Sequence, residues 1–544
     1  MIISVCENNK RIYQSYRNKD GTKVEEFIKF RPYFFVKETE TKPTTYPISK
    51  YINGNFQYEE GEFYNLEKEK LVKVYYQRAS DSKAKDCFKQ TYEADVPLHF
   101  RYAVDEINEM PEYNMRKWYW DMEWQQGGEY DGCITTIVVY DNYDKKFKQW
   151  VWFPTFFMHP TETKHVFGSE KEMLESFIKT MDIKDPDMLI AWFGNFADLP
   201  KLLERCCALD IDPLEMSPAY HVKGIKRTKT GFSFTKKNGF SKIEQPIAGR
   251  ITLNLDLAFE RQWNDSQRGT LPSLSLDYVS KTLFGEGKKM ETKFEDPNEF
   301  YRRAWLEDTG AYLEYALVDV ELLVKIDESN YCSEAILSLQ RLLKAPFDAC
   351  FYASHMGSIY FMRNADWKAP TGSKDEERRD YEGAMIYDPL SENTNGLHLN
   401  VAAFDFAQLY PSMMMARNIS WETKSKEPTD FGVNILTPRD FSEVKQTQML
   451  YYNTDELGLL PKAVIELREL RNDYKKRMKN AENNDEYVKW YNNQMAVKRL
   501  MASFYGVLAF QGFGWADVDL AASITASARE AIRLAAFKAK ELEV

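Results

Sequence analysis

The sequence predicts a multidomain protein that combines α/β and α+β regions. Its 544 residues correspond to about three or four domains of ordinary size. Runs of alternating apolar and polar residues, typical of strands, recur through the first hundred residues, and long helical patterns dominate after residue 460. Hydrophobic residues make up 44% and charged residues 28% of the chain, a balance that supports packed cores rather than disorder.

Composition and patterning argue against several protein classes. No apolar run approaches the roughly 18 to 20 residues of a membrane helix, and the N-terminal sequence turns polar too early for a signal peptide. The seven cysteines lack metal-ligand spacing, and only Cys206 and Cys207 are close in sequence. We therefore expect a cytoplasmic protein without a disulfide framework, a zinc module or a membrane partner.

The net charge of −11 is unfavourable for nucleic-acid binding when the chain is taken as a whole. Two stretches nevertheless carry an excess of cations. Residues 221–250 hold eight Lys or Arg and one Glu, and residues 461–500 hold ten Lys or Arg against six Asp or Glu. Such stretches are either solvated surface or contact sites for phosphate groups.

Residues 115–208 predict the beginning of a ribonuclease H-like α/β domain. Three strand-like runs come first, KWYWDMEW, CITTIVVYD and FKQWVWF. A helix, an apolar strand and a second helix follow, with the sequences SEKEMLESFIKTM, DMLIAWF and LPKLLERCCAL. Domains of this kind begin in the order strand–strand–strand–helix–strand, although other mixed folds share it.

The remaining elements follow from the same patterns. A strand, RITLNLDL, and three helices are predicted up to about residue 328, and strand character returns over residues 385–425. Residues 461–508 predict two antiparallel helices with a turn near Asn483. A last helix runs almost to the end of the sequence.

Four carboxylates and a tyrosine form a candidate site in the first half. Asp121 and Glu123 share one face of a strand because side chains alternate with period 2. Asp198 opens a helix directly after a strand, and Tyr315 and Asp319 are one helical turn apart. Taken singly, Asp198 is more simply a helix cap, and the Tyr–Asp pair a surface hydrogen bond.

Taken together, the five residues match the requirements of two-metal phosphodiester hydrolysis. Paired carboxylates among aromatic residues are costly unless a cation binds them, and Mg²⁺ prefers oxygen ligands. Two such ions activate a water and stabilise the leaving oxygen. A tyrosine hydroxyl can orient that water.

These motifs resemble the 3′–5′ exonuclease motifs of the family B DNA polymerases, which occur in the same order. The resemblance implies that Asp121, Glu123, Asp198 and Asp319 are metal ligands and that Tyr315 positions the water. The second motif departs from the family pattern, because Ala197 stands where an aromatic residue is usual. The segments TYEADVPLHFRYAVD and SLSLDYVSKTLFGEGKK also resemble family sequences.

A second group of motifs resembles the polymerase half of the family. DFAQLYPS at 405–412 is similar to the first polymerase motif, in which Asp405 and Phe406 would bind metal and Leu409 and Tyr410 would bind the dNTP. Tyr410 would act as a steric gate against the ribose 2′-hydroxyl. Gln408 replaces the usual Ser.

KRLMASFYG at 498–506 is similar to the helix-pair motif of the family. Lys498 and Tyr505 share a helical face, and Arg471 and Lys475 on the preceding helix would contact the same triphosphate. Ala502 replaces the usual Asn. A solvated basic helix is the alternative interpretation.

YEGAMIYDP at 381–389 is similar to the segment that links the two halves of the family, in which Tyr381 and Gly383 would touch template DNA. The implied domains are residues 1–103 with a return segment 331–380 (N-terminal), 104–330 (exonuclease), 381–460 and 511–544 (an incomplete palm), and 461–510 (fingers).

The family's second aspartate pair, Asp-Thr-Asp, is not found after residue 519, although Asp517 and Asp519 are present. The resemblance therefore implies the larger subunit of a split enzyme, as in some phages and archaea, without a thumb. Its implied partners are primer-template DNA, dNTPs, a second chain with the missing aspartates and, as a further candidate, a sliding clamp. Two Mg²⁺ per active site, or Mn²⁺ in their place, are the implied cofactors, and a viral protein would work in the host cytoplasm.

Three other interpretations stay open. The chain could be a stand-alone exonuclease with a palm that does not polymerise. It could also be a non-catalytic DNA-binding scaffold of a replisome, or a truncated form of a complete polymerase. The costly clustered carboxylates disfavour the scaffold, and the retention of Asp405, Tyr410, Arg471 and Lys498 disfavours a decayed palm.

Overall fold

The chain forms two compact units. Unit 1 consists of Met1–Phe30 and Leu98–Phe351, and unit 2 of Arg31–Pro97 and Tyr352–Val544. The finer division into N-terminal, exonuclease, palm and fingers regions stays a prediction. The computed structural model describes residues 1–6, 11–43, 56–77, 82–154, 158–236, 238–265, 269–288, 293–294, 297–372, 380–385, 399, 401, 405–438, 445–510 and 512–541.

Both units contain strands and helices. The strands are β1 (Ile2–Cys6), β2 (Arg11–Arg17), β3 (Lys23–Lys29), β4 (Tyr33–Lys37), β5 (Gln57–Tyr64), β6 (Lys70–Tyr75), β7 (Lys117–Trp124), β8 (Ile134–Asp141), β9 (Lys146–Trp152), β10 (Lys164–Phe167), β11 (Met188–Ala191), β12 (Ile225–Thr228), β13 (Gly231–Phe234), β14 (Ile251–Asn254), β15 (Lys424–Ser425), β16 (Phe431–Pro438) and β17 (Lys445–Tyr452).

The α-helices are α1 (Leu98–Glu106), α2 (Glu170–Lys184), α3 (Asp198–Ala208), α4 (Leu255–Asp265), α5 (Leu276–Phe284), α6 (Pro297–Glu307), α7 (Thr309–Asn330), α8 (Cys332–Leu343), α9 (Ala353–Asn364), α10 (Leu409–Ala416), α11 (Leu459–Lys479), α12 (Asn484–Leu508) and α13 (Val518–Glu541). Within the described residues, no helix is both long and apolar enough to cross a lipid bilayer.

Unit 1 is built around a six-stranded mixed sheet with the order β10-β9-β8-β7-β11-β14. Strands β7, β8 and β9 form an antiparallel meander, and β11 pairs in parallel with both β7 and β14. One face buries Trp118, Trp120 and Trp150 against Phe177 of α2. Helix α7 packs on β7 and β8 and brings its side chains to the carboxylates of β7.

Unit 2 contains two three-stranded antiparallel sheets, with the orders β4-β6-β5 and β15-β17-β16. Helices α11 and α12 pack side by side along much of their length and are joined by a short turn. Asn483 caps α12, since its side chain accepts a hydrogen bond from the backbone N–H of Glu486.

The structure confirms the mixed α/β class. Between residues 115 and 208 it contains the predicted strands and helices and, between β9 and α2, a further strand that was not predicted, β10. The predicted strand RITLNLDL is too long, because β14 ends at Asn254 and α4 begins at the next residue. Four helices, α4 to α7, occupy the region for which three were predicted.

The prediction of strand character up to residue 425 is wrong for Leu409–Ala416, which forms α10. Its Leu and Met residues favour a helix, and its proline lies in the first turn, where no backbone donor is needed. The predicted strand before Asp405 falls mostly on residues outside the described part of the chain.

Candidate active site

The strand β7 presents Asp121 and Glu123 on one face of the sheet. Side chains of a strand alternate, so the neighbouring residues Trp118, Trp120 and Met122 point into the opposite face and are buried there. This apolar anchor fixes the strand, and the two carboxylates lie on the face that α7 covers.

Helix α7 brings Asp319 to the two carboxylates of β7. Oxygen atoms of Asp121, Glu123 and Asp319 lie within 4.8 Å of one another. Tyr315 lies one turn before Asp319, and both side chains are buried. Asp198, the first residue of α3, is also buried, and its charge acts on Asp121.

Burial and mutual repulsion raise the pKa values of these acids and so favour their protonated forms. Burial is the main cause of the raised pKa of Asp121, and the charges of Asp198 and Glu123 add to it. Burial, with the charge of Asp319, raises the pKa of Glu123 to about 8. Burial raises the pKa of Asp198 to about 7. Ionisation of all four carboxylates therefore costs free energy unless a cation is bound.

Lys288 supplies one cation that the sequence analysis did not identify. Its ammonium donates a hydrogen bond to the Tyr315 hydroxyl over 2.9 Å and a second one to Asp319. Burial lowers the pKa of Lys288, but the charges of Asp319 and Asp121 outweigh burial and leave it raised. The only sequence signal was a lysine after two glycines in a segment that resembles the family.

The site fits divalent metal ions of the hard, oxygen-binding class. One oxygen of Asp319, Oδ1, is buried and makes no hydrogen bond among the described residues, so it is free to bind a cation. All donors are carboxylate oxygens, which suit Mg²⁺ or Mn²⁺ and not zinc. Asp121, Glu123 and Asp319 would hold such ions, with Asp198 beside them.

The raised pKa values predict that the metal-free protein loses stability as pH rises. The folded protein keeps protons on Glu123 and Asp198 up to about pH 7 to 8, whereas unfolded carboxyls ionise near pH 4. Because the folded state binds more protons, its free energy of unfolding should fall by several kcal/mol, about 6 if both groups titrate independently, from pH 5 to pH 8. Thermal melts in EDTA measure this trend. Glu123→Gln should flatten it, and an unchanged slope in that variant would contradict the prediction.

Removing the charge of Lys288 should slow the nuclease reaction that the resemblance implies. Lys288→Met should reduce the rate about 10- to 100-fold, because Tyr315 loses its donor and Asp319 its ion pair. Lys171→Met is a matched control, since that exposed lysine of α2 pairs with Glu175 on the surface. Degradation of 3′-labelled single-stranded DNA measures both variants, and equal rates for them would contradict a role for Lys288.

The loop before Asp198 is fixed by Asn195. The Asn195 amide is buried and donates to the backbone oxygens of Ser241 and Glu244. Phe196 is mostly exposed beside it, and Ala197 precedes the helix without a side-chain cap. The missing aromatic residue at position 197 therefore does not prevent Asp198 from starting α3 beside the other carboxylates.

The second group of predicted residues lies in unit 2. Asp405 and Phe406 are exposed and precede α10, which carries Leu409 and Tyr410. Gln408 takes a left-handed conformation directly before the helix (φ 56°). Asp405 belongs to no metal-binding group of carboxylates among the described residues.

Three predicted tyrosines come together in unit 2. The ring centroids of Tyr410 and Tyr505 are 4.4 Å apart, and the hydroxyls of Tyr381 and Tyr505 are 3.3 Å apart. The buried Arg529 holds the segment of Tyr381, because its Nη1 donates to the backbone oxygens of Glu382 and Gly383 over 2.5 and 2.7 Å.

The predicted phosphate-binding cations lie on the paired helices α11 and α12. The pKa of Lys475 is lowered, first by the charge of Arg471 and also by burial and by Lys479 and Lys498. Burial lowers the pKa of Arg471. Cations that repel one another in this way are suited to a polyanion.

Asp517 and Asp519 have a structural role. Lys424 donates to both carboxylates, over 2.8 Å to Asp517 and 3.0 Å to Asp519. Asp517 also accepts hydrogen bonds from the backbone N–H groups of Asp519 and Leu520 at the start of α13. These contacts occupy the two acids that follow the helix pair.

Two family models match the chain. DNA polymerase family B matches residues 357–540, and the exonuclease domain of DNA polymerase family B matches residues 122–279. Together the two ranges contain more than half of the 544 residues.

Relatives and a solved structure agree with these matches. The DNA polymerase of Pyrococcus glycovorans is 25% identical over 99% of this chain and 68% of its own length. DNA polymerase 1 of Pyrococcus abyssi is 27% identical over 81% of this chain and 54% of its own length. The chain thus spans about half to two thirds of these relatives.

The solved structure of the family B DNA polymerase from the hyperthermophilic archaeon Pyrobaculum calidifontis is similar in fold. The TM-score is 0.69 at 19% identity, and the match covers 99% of this chain and 71% of that one. The family models show that the chain belongs to DNA polymerase family B and contains the exonuclease domain of that family.

Proposed function

We propose that unit 1 is a 3′–5′ exodeoxyribonuclease. The observation that carries the proposal is the convergence of Asp121, Glu123 and Asp319 within 4.8 Å, beside Lys288. Half-buried and buried acids at this density cost folding free energy, and a metal-dependent reaction gives them a use.

The side chains of the site have distinct tasks in this proposal. Tyr315 stays protonated, since burial raises the pKa of its hydroxyl, and can orient a water or a phosphate oxygen. Lys288 holds that hydroxyl in place and offsets the charge of Asp319. Metal ions, when bound, make the water a stronger nucleophile and stabilise the leaving 3′-oxygen.

The test is the release of mononucleotides from 3′-labelled single-stranded DNA in Mg²⁺, with EDTA as the control. Release from the 3′ end that EDTA stops is the expected result. Absence of nuclease activity in Mg²⁺ and in Mn²⁺ would refute the proposal.

We infer that the basic stretch of unit 1 contacts DNA. Residues 225–234 form the hairpin β12–β13, on which Lys226, Arg227 and Lys229 are exposed. Lys226→Ala with Lys229→Ala should weaken DNA binding. The slope of log affinity against log salt concentration should fall by the equivalent of up to about two phosphate contacts. Fluorescence anisotropy across a salt series measures this, and an unchanged slope would contradict the contact.

We propose further that unit 2 polymerises DNA together with a second chain. The tyrosine cluster and the mutually repelling cations of α11 and α12 support binding of a dNTP. Asp405 needs a further carboxylate for a two-metal site, and Lys424 already pairs with Asp517 and Asp519. In this proposal the second chain supplies that further carboxylate.

Exposed apolar side chains of unit 2 support an additional binding partner. On α13, Leu534 and Phe537 are 62% and 59% exposed, one helical turn apart. Leu399 and Val401, on the segment before Asp405, are 77% and 73% exposed. A second chain that covers these four residues would remove their apolar side chains from water.

Primer extension separates the candidates for unit 2. Extension by this chain alone would refute the need for a second chain. Extension only after addition of a protein from the same genome that carries an Asp-Thr-Asp motif is the expected result. Exonuclease activity without extension in any mixture would favour the stand-alone exonuclease.

A further inference from the structure

Helix α7 is bonded to strand β7 on one side of the carboxylate cluster through Tyr119. The Tyr119 hydroxyl donates to Asp327 Oδ2 over 2.7 Å, and both side chains are 4% exposed. Asp327 is held from its other side by the backbone N–H and the hydroxyl of Ser333, over 2.7 and 2.6 Å. The acceptor therefore has a fixed position, and the tyrosine is bound to it.

A second bond lies on the other side of the cluster. Thr135 of β8 donates its hydroxyl hydrogen to the backbone oxygen of Glu123 over 3.0 Å. The same hydroxyl is 2.7 Å from that of Tyr312 on α7, which must then be the donor. Thr135 and Tyr312 are both buried.

The spacing along strand and helix agrees with the spacing of the carboxylates. From Tyr119 to Glu123 a strand rises by about 13 Å, and from Asp327 to Asp319 a helix rises by about 12 Å. The strand and the helix run in opposite directions, so a bond at Tyr119 places Asp319 opposite the carboxylates of β7. If α7 slipped along β7 by one helical turn, Asp319 would move by about 5.4 Å. This shift exceeds the 4.8 Å within which oxygen atoms of the three carboxylates lie.

We propose that Tyr119 with Asp327, and Tyr312 with Thr135, are positioning residues that set the register of α7 against β7 and thereby the metal affinity of the cluster. The inference rests on the proposed exonuclease function. Each of the four acts through the placement of Asp121, Glu123 and Asp319.

The test removes one hydroxyl at a time from the full chain. Tyr119→Phe and Tyr312→Phe should each weaken Mn²⁺ binding about 10- to 100-fold, as loss of supporting hydrogen bonds around a metal site does elsewhere. The spectroscopic signal of free Mn²⁺, which falls as the ion binds, measures the affinity of the protein for Mn²⁺ in the absence of DNA. The half-saturating Mn²⁺ concentration for nuclease activity should rise by the same factor, with a smaller change in the rate at saturation.

Tyr102→Phe is the matched control, because the buried Tyr102 donates one hydrogen bond, to Gln14 in the same unit, and contacts none of the carboxylates. Asp327→Asn, whose amide oxygen can still accept from the hydroxyls of Tyr119 and Ser333, should retain more Mn²⁺ affinity than Asp327→Ala. If Tyr119→Phe shifts Mn²⁺ binding no more than Tyr102→Phe does at a comparable loss of melting temperature, the inference is wrong. Mn²⁺ binding without nuclease activity in the unmodified chain would refute the proposed function alone and leave this test valid.

Discussion

Asp121→Ala combined with Glu123→Ala should reduce 3′–5′ exonuclease activity by about a thousandfold or more, a loss of about 4 kcal/mol of transition-state stabilisation. The two substitutions remove two of the three carboxylates that lie within 4.8 Å of one another. Asp319 would then face Lys288 alone, with which it already forms an ion pair. Release of labelled nucleotides under single-turnover conditions measures the loss.

A second double variant controls for the change in charge. Glu172→Ala with Glu175→Ala removes two exposed carboxylates from α2 in the same unit and should leave the rate unchanged. The metal-free double variant of the site should also be no less stable than the unmodified protein, because it loses acids whose pKa burial has raised. Nuclease activity that survives the loss of Asp121 and Glu123 would refute the site assignment.

Asp405→Ala should abolish nucleotide incorporation, by about a thousandfold or more, in whichever mixture supports primer extension. Asp405 is exposed directly before the helix that carries Leu409 and Tyr410, where a bound triphosphate would lie in the proposed site. The exonuclease rate should not change, since the proposed nuclease residues all belong to unit 1.

Asp430→Ala is the corresponding control, since Asp430 is an exposed acid of the same unit outside the motifs. Extension products resolved by length, with exonuclease activity measured on the same preparation, distinguish loss of polymerisation from misfolding. Incorporation at an unchanged rate by Asp405→Ala would exclude Asp405 from the polymerase site.

The two parts of the carboxylate cluster, the pair on β7 and the pair on α7, were predictable because the geometry of each pair is local. Period 2 along β7 and one turn along α7 determine which side chains share a face, and the structure places Asp121 and Glu123 on one face and Tyr315 and Asp319 on another. The strands and helices predicted for residues 115–208 are likewise present, with the unpredicted strand β10 added between β9 and α2. Each of these inferences needed only a few consecutive residues.

Contacts between distant segments were not predictable in the same way. Lys288 reaches Asp319 from a loop 31 residues earlier, and Tyr119 reaches Asp327 across 208 residues. No sequence period links such pairs. In α10, an apolar run was too short for its pattern to distinguish helix from strand, and helix propensity and local packing decided the outcome.

The two units are each assembled from two stretches of chain, and this has a consequence for the order of folding. Unit 1 can form once residue 351 has been synthesised, because its last segment ends there. Unit 2 begins at Arg31, and its Tyr92 pairs with Pro370 through a β-bridge. This bridge between the two stretches of unit 2 cannot form until the ribosome has passed that proline. At synthesis rates of about 5 to 20 residues per second, that delay is on the order of 15 to 60 seconds. During that interval the first stretch of unit 2 is exposed to chaperones and to aggregation.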